Sequence, residues 1–294
     1  MINADLPPTS PPGEVVTKAQ TFDRIVTLLD QGRTDLTNAG ASFSFPLSSG
    51  FADFKTPASF IKFNRAIRAR VAVYLNDWTG ALTALSASFL DTNGSLSLGA
   101  YHSFSSGAGD ILNGLYDPEG RALNAHPSLR TGAQLRTNGE RDLRYQAKVK
   151  SRPPVTTQGI TTDILFSVYS SPTASVPIIR NEELILLRAE ANLGLNNIPV
   201  ALTDINLIRT TSGGLPAYAG AQTPAAVLDE LLYEKRYSLL FEGHRWIDLR
   251  LYNKHGTLPK DLPAHKIFSK FPIPRAECII RTTAPAGCAL ETGT

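Results

Sequence analysis

The stretch from Arg180 to Arg250 constrains the fold more than any other part of the chain. Its apolar residues recur at helical spacing in three successive segments, which predicts three consecutive helices. The predicted ranges are 181–195, 199–211 and a third helix that begins at 224. Residues that cap or end helices stand between them, namely Gly194, Gly213, Gly214 and Thr223.

Charged residues then appear on the buried face of the third helix, at Glu234, Lys235 and Arg236. A charge on an inner face costs free energy unless it is paired. These charges form either an acid–base or binding site, or a partly buried lattice of ion pairs. We favour the lattice, because Arg–carboxylate pairs suit bidentate bonding and no nucleophile, metal triad or phosphate loop accompanies them. Its predicted members are Arg180, Glu183, Arg188, Glu190, Arg209, Glu234, Arg236, Glu242, Arg245 and Asp248.

The first third of the chain carries the same helical spacing, over residues 14–38, 57–75 and 78–90. A helix with small residues, a tight turn, and an aromatic residue followed three positions later by Ala is the layout of a tetratricopeptide-type hairpin. Trp78 and Ala81 occupy those positions, and the pair of helices over 181–211 repeats the layout. Trp78 is therefore predicted to lie in the core and not to contact a ligand.

Residues 91–177 are irregular, with short strands predicted over 96–104, 145–149 and 161–169. A loop region of this length in a compact domain is usually functional or disordered. Aromatic faces and side chains that bind hydroxyl groups suit a sugar, although the same side chains could simply fix the loops in place. The ligand-binding candidates are Tyr101, His102, Phe104, Tyr116, Arg121, His126 and Arg130.

The two cysteines, Cys278 and Cys288, lie near the C-terminus of the 294 residues. Their spacing is not that of a metal site, so they form either a local disulfide or two free thiols. A net charge of +3, without a basic run interleaved with aromatic residues, argues against a nucleic-acid partner. No apolar run is long enough for a transmembrane helix, and no signal peptide is visible at the N-terminus.

Four blocks in the C-terminal part carry a resemblance. They are Arg180-x-x-Glu183-x4-Arg188-Ala189-Glu190-Ala191, Asp204-Ile205-Asn206-x-Ile208-Arg209, Glu234-x-Arg236-x4-Phe241-Glu242-Gly243-x-Arg245-Trp246-x-Asp248-Leu249 and Phe271-Pro272-Ile273-Pro274-x-x-Glu277. In this order they resemble the C-terminal signature of the SusD/RagB family of outer-membrane nutrient-binding lipoproteins. Asp142-Leu143-Arg144 is similar to an element that precedes these blocks in the family, and we expect it to be structural.

The resemblance implies a mainly α fold, with tetratricopeptide-like hairpins, long irregular loops and a few short strands. We expect an extended lead-in over 1–13 and one domain over 14–294. Within that domain, 14–90 and 180–250 form the helical scaffold, 91–177 a loop-rich insertion on the ligand side, and 251–294 an extended C-terminal segment. Family members are usually longer, which predicts a chain shortened at its N-terminus or a divergent member.

The implied function is capture of an oligosaccharide or similar nutrient at the cell surface, without catalysis. The implied partner is a SusC-like TonB-dependent transporter of the outer membrane. The parent protein would be attached to the membrane only through an N-terminal lipid anchor that this chain lacks, so the chain itself would be soluble. No cofactor, metal site or catalytic residue is expected.

Two alternatives remain. The hairpins could form a scaffold that binds a protein or peptide partner and has no nutrient role. A glycan-cleaving enzyme would need two suitably placed carboxylates. Glu234 and Glu242 are the pair to inspect, but arginine partners would lower both pKa values and make a poor general acid.

Overall fold

The computed structural model describes residues 13–281, together with Pro7, Ser10 and Cys288. The predicted lead-in over 1–13 lies outside the described residues except at Pro7, Ser10 and Gly13. The helices are α1 Lys18–Asn38, α2 Pro57–Tyr74, α3 Trp78–Ser86, α4 Ser128–Thr131, α5 Leu143–Lys148, α6 Asn181–Gly194, α7 Ile198–Thr211, α8 Pro224–Ser238, α9 Arg245–Leu251 and α10 Arg275–Ile279. The strands are β1 Gly99–His102, β2 Val149–Thr157, β3 Ile160–Phe166 and β4 Val176–Arg180. Short 3-10 turns span Ser49–Phe54 and His255–Thr257.

The helix starts follow local capping chemistry. Thr56 accepts a hydrogen bond from the Ser59 amide and is followed by Pro57 at the first helical position of α2. Thr223 and Pro224 begin α8 in the same way. The sequence placed the start of α1 too early, because Thr17 forms a capping box with Gln20 and the helix begins after it.

Two helical hairpins, α2–α3 and α6–α7, form the scaffold and pack on each other through α3 and α6. A Cβ on Gly194 would lie 2.4 Å from the Trp78 indole, so the absence of a side chain there lets the two hairpins approach. Trp78 packs against a core of α2, α3 and α6 residues that includes Ala69, Leu85 and Leu187. The predicted mainly α fold with hairpins of this kind is confirmed.

A second core lies between α6, α7 and α8, with Ile185, Ile205 and Leu231 fully buried. A third joins the end of α8 to the insertion, where Tyr237 packs with Leu129 and Ile164. The insertion is thus held on the same helix that carries the buried charges.

Two antiparallel strand pairs organise the insertion. β1 pairs with β4, with Gly99 opposite Arg180, so the ends of the insertion meet at the start of α6. β2 and β3 form a hairpin. The strand predicted over 161–169 is found as β3, but the strand predicted over 145–149 is wrong. Asp142 caps the Arg144 amide there and starts α5, and β2 begins only at Val149.

The C-terminal segment contains α10 and the disulfide between Cys278 and Cys288, whose Cα atoms are 5.6 Å apart. Over the described residues no helix is long and apolar enough to cross a membrane.

Candidate functional site

Buried charges meet where α5 and α6 pack against the C-terminal half of α8. Arg144 donates to Asp142 Oδ2 at 2.5 Å, to Ser238 Oγ at 3.0 Å and to the carboxylate of Glu234. The side chain of Arg144 is 5% exposed and that of Glu234 is fully buried. The Asp142–Arg144 pair therefore ties α5 to α8, as expected of a structural element.

Arg209 of α7 reaches the same point from the other side. It pairs with Glu230 and lies 3.3 Å from Glu234 Oε1. Three carboxylates, those of Asp142, Glu230 and Glu234, thus share the guanidinium groups of Arg144 and Arg209. Burial, together with the neighbouring carboxylate of Glu230, raises the pKa of Glu234 to about 8 against the opposing effect of Arg144. Arg144 does lower the pKa of Glu234, but burial raises it by more. The expected net lowering of this pKa is therefore wrong.

A second group of charges joins the ends of α6 and α8. Arg180 pairs with Glu182, donates to Glu242 Oε1 at 2.9 Å and to the Ser238 carbonyl at 2.6 Å. Burial raises the pKa of Glu182, but Arg180 and the Ser238 hydroxyl more than offset this and bring it to about 2. Lys148 donates to the last carbonyls of α8, at Tyr237 and Ser238, and burial lowers its pKa to about 8.

A third group of charges, with side-chain exposures of 2% or less, lies between α6, α8 and α9. Lys235 Nζ is 2.9 Å from Glu190 Oε2 and 2.5 Å from Asp248 Oδ1. Nearby, Arg70 of α2 makes two hydrogen bonds of 2.6 Å to Glu183. On the outer side of this layer, Arg188 pairs with Asp204 through two bonds, of 2.6 and 2.8 Å.

Arg236 and Arg245 differ from the other predicted members of the lattice. Within the described residues, neither guanidinium has a carboxylate oxygen within the 4.0 Å limit of an ion pair. Arg236 donates to the carbonyl and hydroxyl of Ser128, both at 3.0 Å, and Arg245 donates to the Leu232 carbonyl at 3.1 Å. The carboxylates of α8 and α9 already face other cations, namely Lys235, Arg144, Arg209 and, at Asp229, Lys254. This leaves Arg236 and Arg245 on backbone and hydroxyl partners.

The ligand candidates are spread over the insertion and do not form one site. Arg121 is 80% exposed and pairs with Glu119. Arg130 pairs with Asp163 at 2.8 Å, and His102 and Phe104 make an edge-to-face contact with ring centroids 4.8 Å apart. Tyr116 is half-buried. Of these candidates, Tyr101 and His126 line the two clefts described below, and each lines a different one.

We call the cleft at His126 the tryptophan cleft. It has a volume of about 480 Å³ and lies between the α8–α9 turn, the start of α4 and the turn at residues 257–259. Its lining is largely apolar and aromatic, with several donors: His126, Ser128, Leu129, Lys235, Arg236, Leu239, Leu240, Phe241, Gly243, His244, Arg245, Trp246, Thr257, Leu258 and Pro259. Phe241 has a φ of +71°, a conformation that is costly for a bulky residue and is often found at functional sites.

Hydrogen bonds and ring contacts fix the orientation of two side chains that line the tryptophan cleft. Trp246 donates from its indole to the Phe268 carbonyl at 3.2 Å and packs on Phe271, with centroids 4.8 Å apart. His126 lies between Ser128 Oγ at 2.8 Å and Asp261 Oδ2 at 3.0 Å. The lining therefore combines fixed aromatic surface with hydrogen-bond donors.

The second cleft, here the tyrosine cleft, has a volume of about 520 Å³ and is lined by both Tyr101 and Tyr169. Its three basic side chains, Arg144, Lys148 and Arg180, lie beside the carboxylates of Glu182 and Glu242, which also line it. The buried hydroxyl of Tyr169 has no hydrogen-bond partner within the described part of the chain. Across the same residues, no group of three or more His, Cys, Asp or Glu side chains is placed to hold a metal ion.

The sequence model of the SusD family matches residues 157–266 of the chain. Its fold is similar to a SusD-like carbohydrate-binding protein from Bacteroides fragilis, with a TM-score of 0.61 and 16% identity over 82% of this chain and 60% of that one. It is also similar to a SusD-like protein from the same organism, with a TM-score of 0.59 and 13% identity over 81% of this chain and 61% of that one. Surface glycan-binding protein A from Bacteroides thetaiotaomicron matches with a TM-score of 0.56 and 16% identity, over 82% of this chain and 62% of that one. No curated protein matches the chain.

The helical hairpins and their loop-rich insertion therefore give this chain a fold similar to that of the SusD-like proteins. The resemblance to the SusD family found in the sequence is confirmed by the family match. The chain spans between 56% and 61% of the length of the first three solved structures it matches.

Several contributors to these sites were not selected from the sequence. Asp142 and Arg144 were noted only as a family element, and Glu182, Lys148 and Arg70 were not included in the lattice. Lys235 stood on the buried face of α8 and was still left out of it. Its partner Glu190 lies 45 residues away and Asp248 lies 13 away, so only the unexpected charge on an apolar face could have revealed it.

Proposed function

We propose that this protein binds an oligosaccharide without cleaving it, and that the tryptophan cleft is the binding site. The observation that carries the proposal is the lining of that cleft, in which aromatic and apolar surface lies beside donors from Arg236 and Arg245. Sugar rings present apolar C–H faces and a rim of hydroxyl groups, and this lining complements both. The volume of about 480 Å³ falls in the range of small-ligand sites.

The likeness to SusD-like proteins supports the same proposal. One of the similar structures is described as carbohydrate-binding and another as a surface glycan-binding protein. The sequence resemblance further implies delivery of the captured glycan to a SusC-like TonB-dependent transporter at the cell surface, with the helical repeats facing the transporter. We therefore include delivery to such a transporter in the proposal.

Binding without catalysis agrees with the state of the buried carboxylates. Glu234 and Glu242 are each held by arginine side chains, Glu234 by Arg144 and Arg209 and Glu242 by Arg180. Neither carboxylate lines the tryptophan cleft. A ligand in that cleft would thus meet donors and aromatic rings, which serve binding.

The test is a thermal-shift and calorimetric screen of neutral and acidic oligosaccharides and of peptides, with each sample examined for cleavage by chromatography. A ligand at a hundredfold its dissociation constant should stabilise the protein by roughly 2.7 kcal/mol. We expect one glycan class to bind without cleavage. Peptide binding together with indifference to every glycan would favour the scaffold alternative, and cleavage products would indicate an enzyme.

A matched pair of variants locates the site. Thr257 is exposed at the mouth of the tryptophan cleft and donates to the Lys254 carbonyl. Thr203 is exposed on α7 and donates to the Pro199 carbonyl. Thr257→Trp should fill the cleft and abolish glycan binding, whereas Thr203→Trp should leave it unchanged. Equal binding by both variants would place the site elsewhere.

Delivery is tested separately, because it needs a second protein. A SusC-like transporter purified in detergent is mixed with this protein and followed by size-exclusion chromatography. We expect the two proteins to co-elute. We also expect bound glycan to pass from this protein to the transporter. Separate elution at micromolar concentrations would contradict the transporter part of the proposal and leave the glycan-binding part standing.

A further inference from the structure

The lining of the tryptophan cleft carries an excess of positive charge, which bears on the kind of glycan that the cleft could bind. Three cationic side chains line it, those of Lys235, Arg236 and Arg245, and no aspartate or glutamate is among its described lining residues. The tyrosine cleft provides a contrast within the same molecule, because Glu182 and Glu242 line it beside its basic groups.

Lys235 does not contribute to the excess of positive charge. Its ammonium group lies between Glu190 and Asp248, with side-chain exposures of 0% and 2%, which neutralise it from behind the cleft. Two further carboxylates lie near the lining, and both face histidines: Asp261 pairs with His126, and Glu183 Oε2 lies 3.7 Å from His244 Nε2. The excess therefore rests on Arg236 and Arg245.

These two arginines also keep donors free. Arg245 uses one N–H group, towards the Leu232 carbonyl, and Arg236 uses Nη2 towards Ser128. Neither guanidinium makes a further hydrogen bond to a protein acceptor within the described residues, and both side chains are half-buried. Burial and the like charge of Arg236 lower the pKa of Arg245 against the opposing effect of Asp248.

Five other arginines of the chain provide a comparison, because each has a carboxylate partner. Arg70, Arg144, Arg180, Arg188 and Arg209 each pair with a carboxylate. Guanidinium groups bind carboxylate or sulfate oxygens through two parallel N–H bonds. A half-buried arginine pair without a carboxylate is thus arranged to receive an anionic group from outside the chain.

We propose that the tryptophan cleft selects an oligosaccharide that carries an anionic group, a carboxylate or a sulfate, and that Arg236 and Arg245 bind this group. The inference rests on the proposed glycan-binding function and adds the class of sugar. The aromatic part of the lining, at Phe241 and Trp246, would then hold the ring that bears the charge.

The test compares sugars that differ only in charge. Tetragalacturonic acid is measured against its methyl ester, and a sulfated galactan oligosaccharide against its desulfated form, by calorimetry at 0.05 and 0.5 M NaCl. We expect at least one charged member to bind at least tenfold more tightly than its neutral partner, with a smaller ratio at high salt because salt screens the attraction. The member that binds also identifies carboxylate or sulfate as the source of the charge.

Three substitutions assign the effect to the cleft. Arg245→Gln and Arg236→Gln should each weaken binding of the charged sugar at least tenfold and leave binding of its neutral partner within twofold. Arg24→Gln serves as the matched control, since its side chain is exposed on α1 and does not line the cleft. Circular dichroism and thermal melting check that each variant folds, and Arg245→Lys, which keeps the charge, should retain part of the affinity.

The outcomes separate the two levels of the proposal. Equal affinity for charged and neutral partners, or charged binding that survives both Gln substitutions, overturns the charge-selective inference and leaves glycan binding standing. Failure of every glycan to bind overturns both.

Discussion

Replacement of Lys235 by methionine is the sharpest test of how the buried charges hold the scaffold together. Lys235 is 2% exposed and is the cation shared by Glu190 and Asp248, which are 0% and 2% exposed. Glu190 receives one further hydrogen bond, from the Tyr252 hydroxyl at 2.7 Å. Lys235→Met keeps the length of the side chain and removes the charge, so two buried carboxylates lose their ammonium partner.

The expected cost follows from the isolation of those carboxylates. Removing one partner of a buried ion pair costs about 3–5 kcal/mol, because the remaining charge stays in a medium of low dielectric constant. Two carboxylates are affected, so we expect the upper half of that range. The melting temperature should fall by roughly 8–20 °C, at about 2–4 °C per kcal/mol for domains somewhat smaller than this one.

The pH dependence of the variant gives a second signature. Burial raises the pKa of Asp248, and Lys235 opposes this rise. Without Lys235 the carboxylate pKa rises further, and the folded variant then binds a proton that the unfolded chain does not. Its stability should therefore increase as the pH falls from 7 towards 5, and the deficit relative to the parent protein should narrow.

Urea and thermal unfolding measure the loss of stability in Lys235→Met and in a matched control variant. Lys254→Met is the control, because Lys254 pairs with Asp229 at the surface, with exposures of 30% and 63%, and should cost less than about 1 kcal/mol. The triple variant Lys235→Met, Glu190→Gln, Asp248→Asn removes the charges together and should recover more than half of the loss. A loss in Lys235→Met as small as that of the control would refute the reasoning.

Three further predictions concern single positions. Gly194→Ala places a Cβ 2.4 Å from the Trp78 indole and should cost about 1–3 kcal/mol in urea unfolding, whereas unchanged stability would mean that the two hairpins adjust freely. Glu182 has its pKa lowered from 4.5 to about 2, so it stabilises the fold above about pH 5 and this contribution, on the order of 3 kcal/mol, is lost as the pH falls towards 2. Unfolding at pH 7 and pH 3 should show a weaker pH dependence in Glu182→Gln, and an unaltered dependence would assign the effect to other groups. Tyr169→Phe removes a buried hydroxyl without a described partner and should leave stability unchanged or raise it by up to about 1 kcal/mol, while a loss of more than 1 kcal/mol would show that the hydroxyl is bonded.

The helical scaffold was readable from the sequence because its signals are local. Capping residues and prolines fix the starts of α2 and α8, and Gly194, the last residue of α6, marks its end. The strand predicted over 145–149 failed for a local reason as well. Tyr145 and Val149 are buried and look like alternate strand positions, yet they are also one helical turn apart, and the Asp142 cap selects the helix.

The clefts were less predictable, because they depend on which distant segments become neighbours. Tyr101 and His126 were grouped as neighbours in one loop region, but β1 carries Tyr101 towards the start of α6 and His126 lies against the α8–α9 turn. The left-handed conformation of Phe241 leaves no trace in residue type. Pairing of Arg236 and Arg245 with carboxylates was expected from charge alone, and the structure gives those carboxylates other partners.

The base of the insertion has a consequence for how such a chain can vary. Asn181 at the start of α6 accepts from the Asp91 amide at 2.9 Å and donates to the Asp91 carbonyl at 2.6 Å, and β1 and β4 pair directly above this point. The polypeptide thus leaves the scaffold and returns to it at a single place. Doubling the length of a flexible loop closed in this way adds only about 0.6 kcal/mol of entropy cost. Evolution, or a protein engineer, could therefore lengthen the exposed loop over residues 105–112, beyond β1, while the base of the insertion and both hairpins keep their packing.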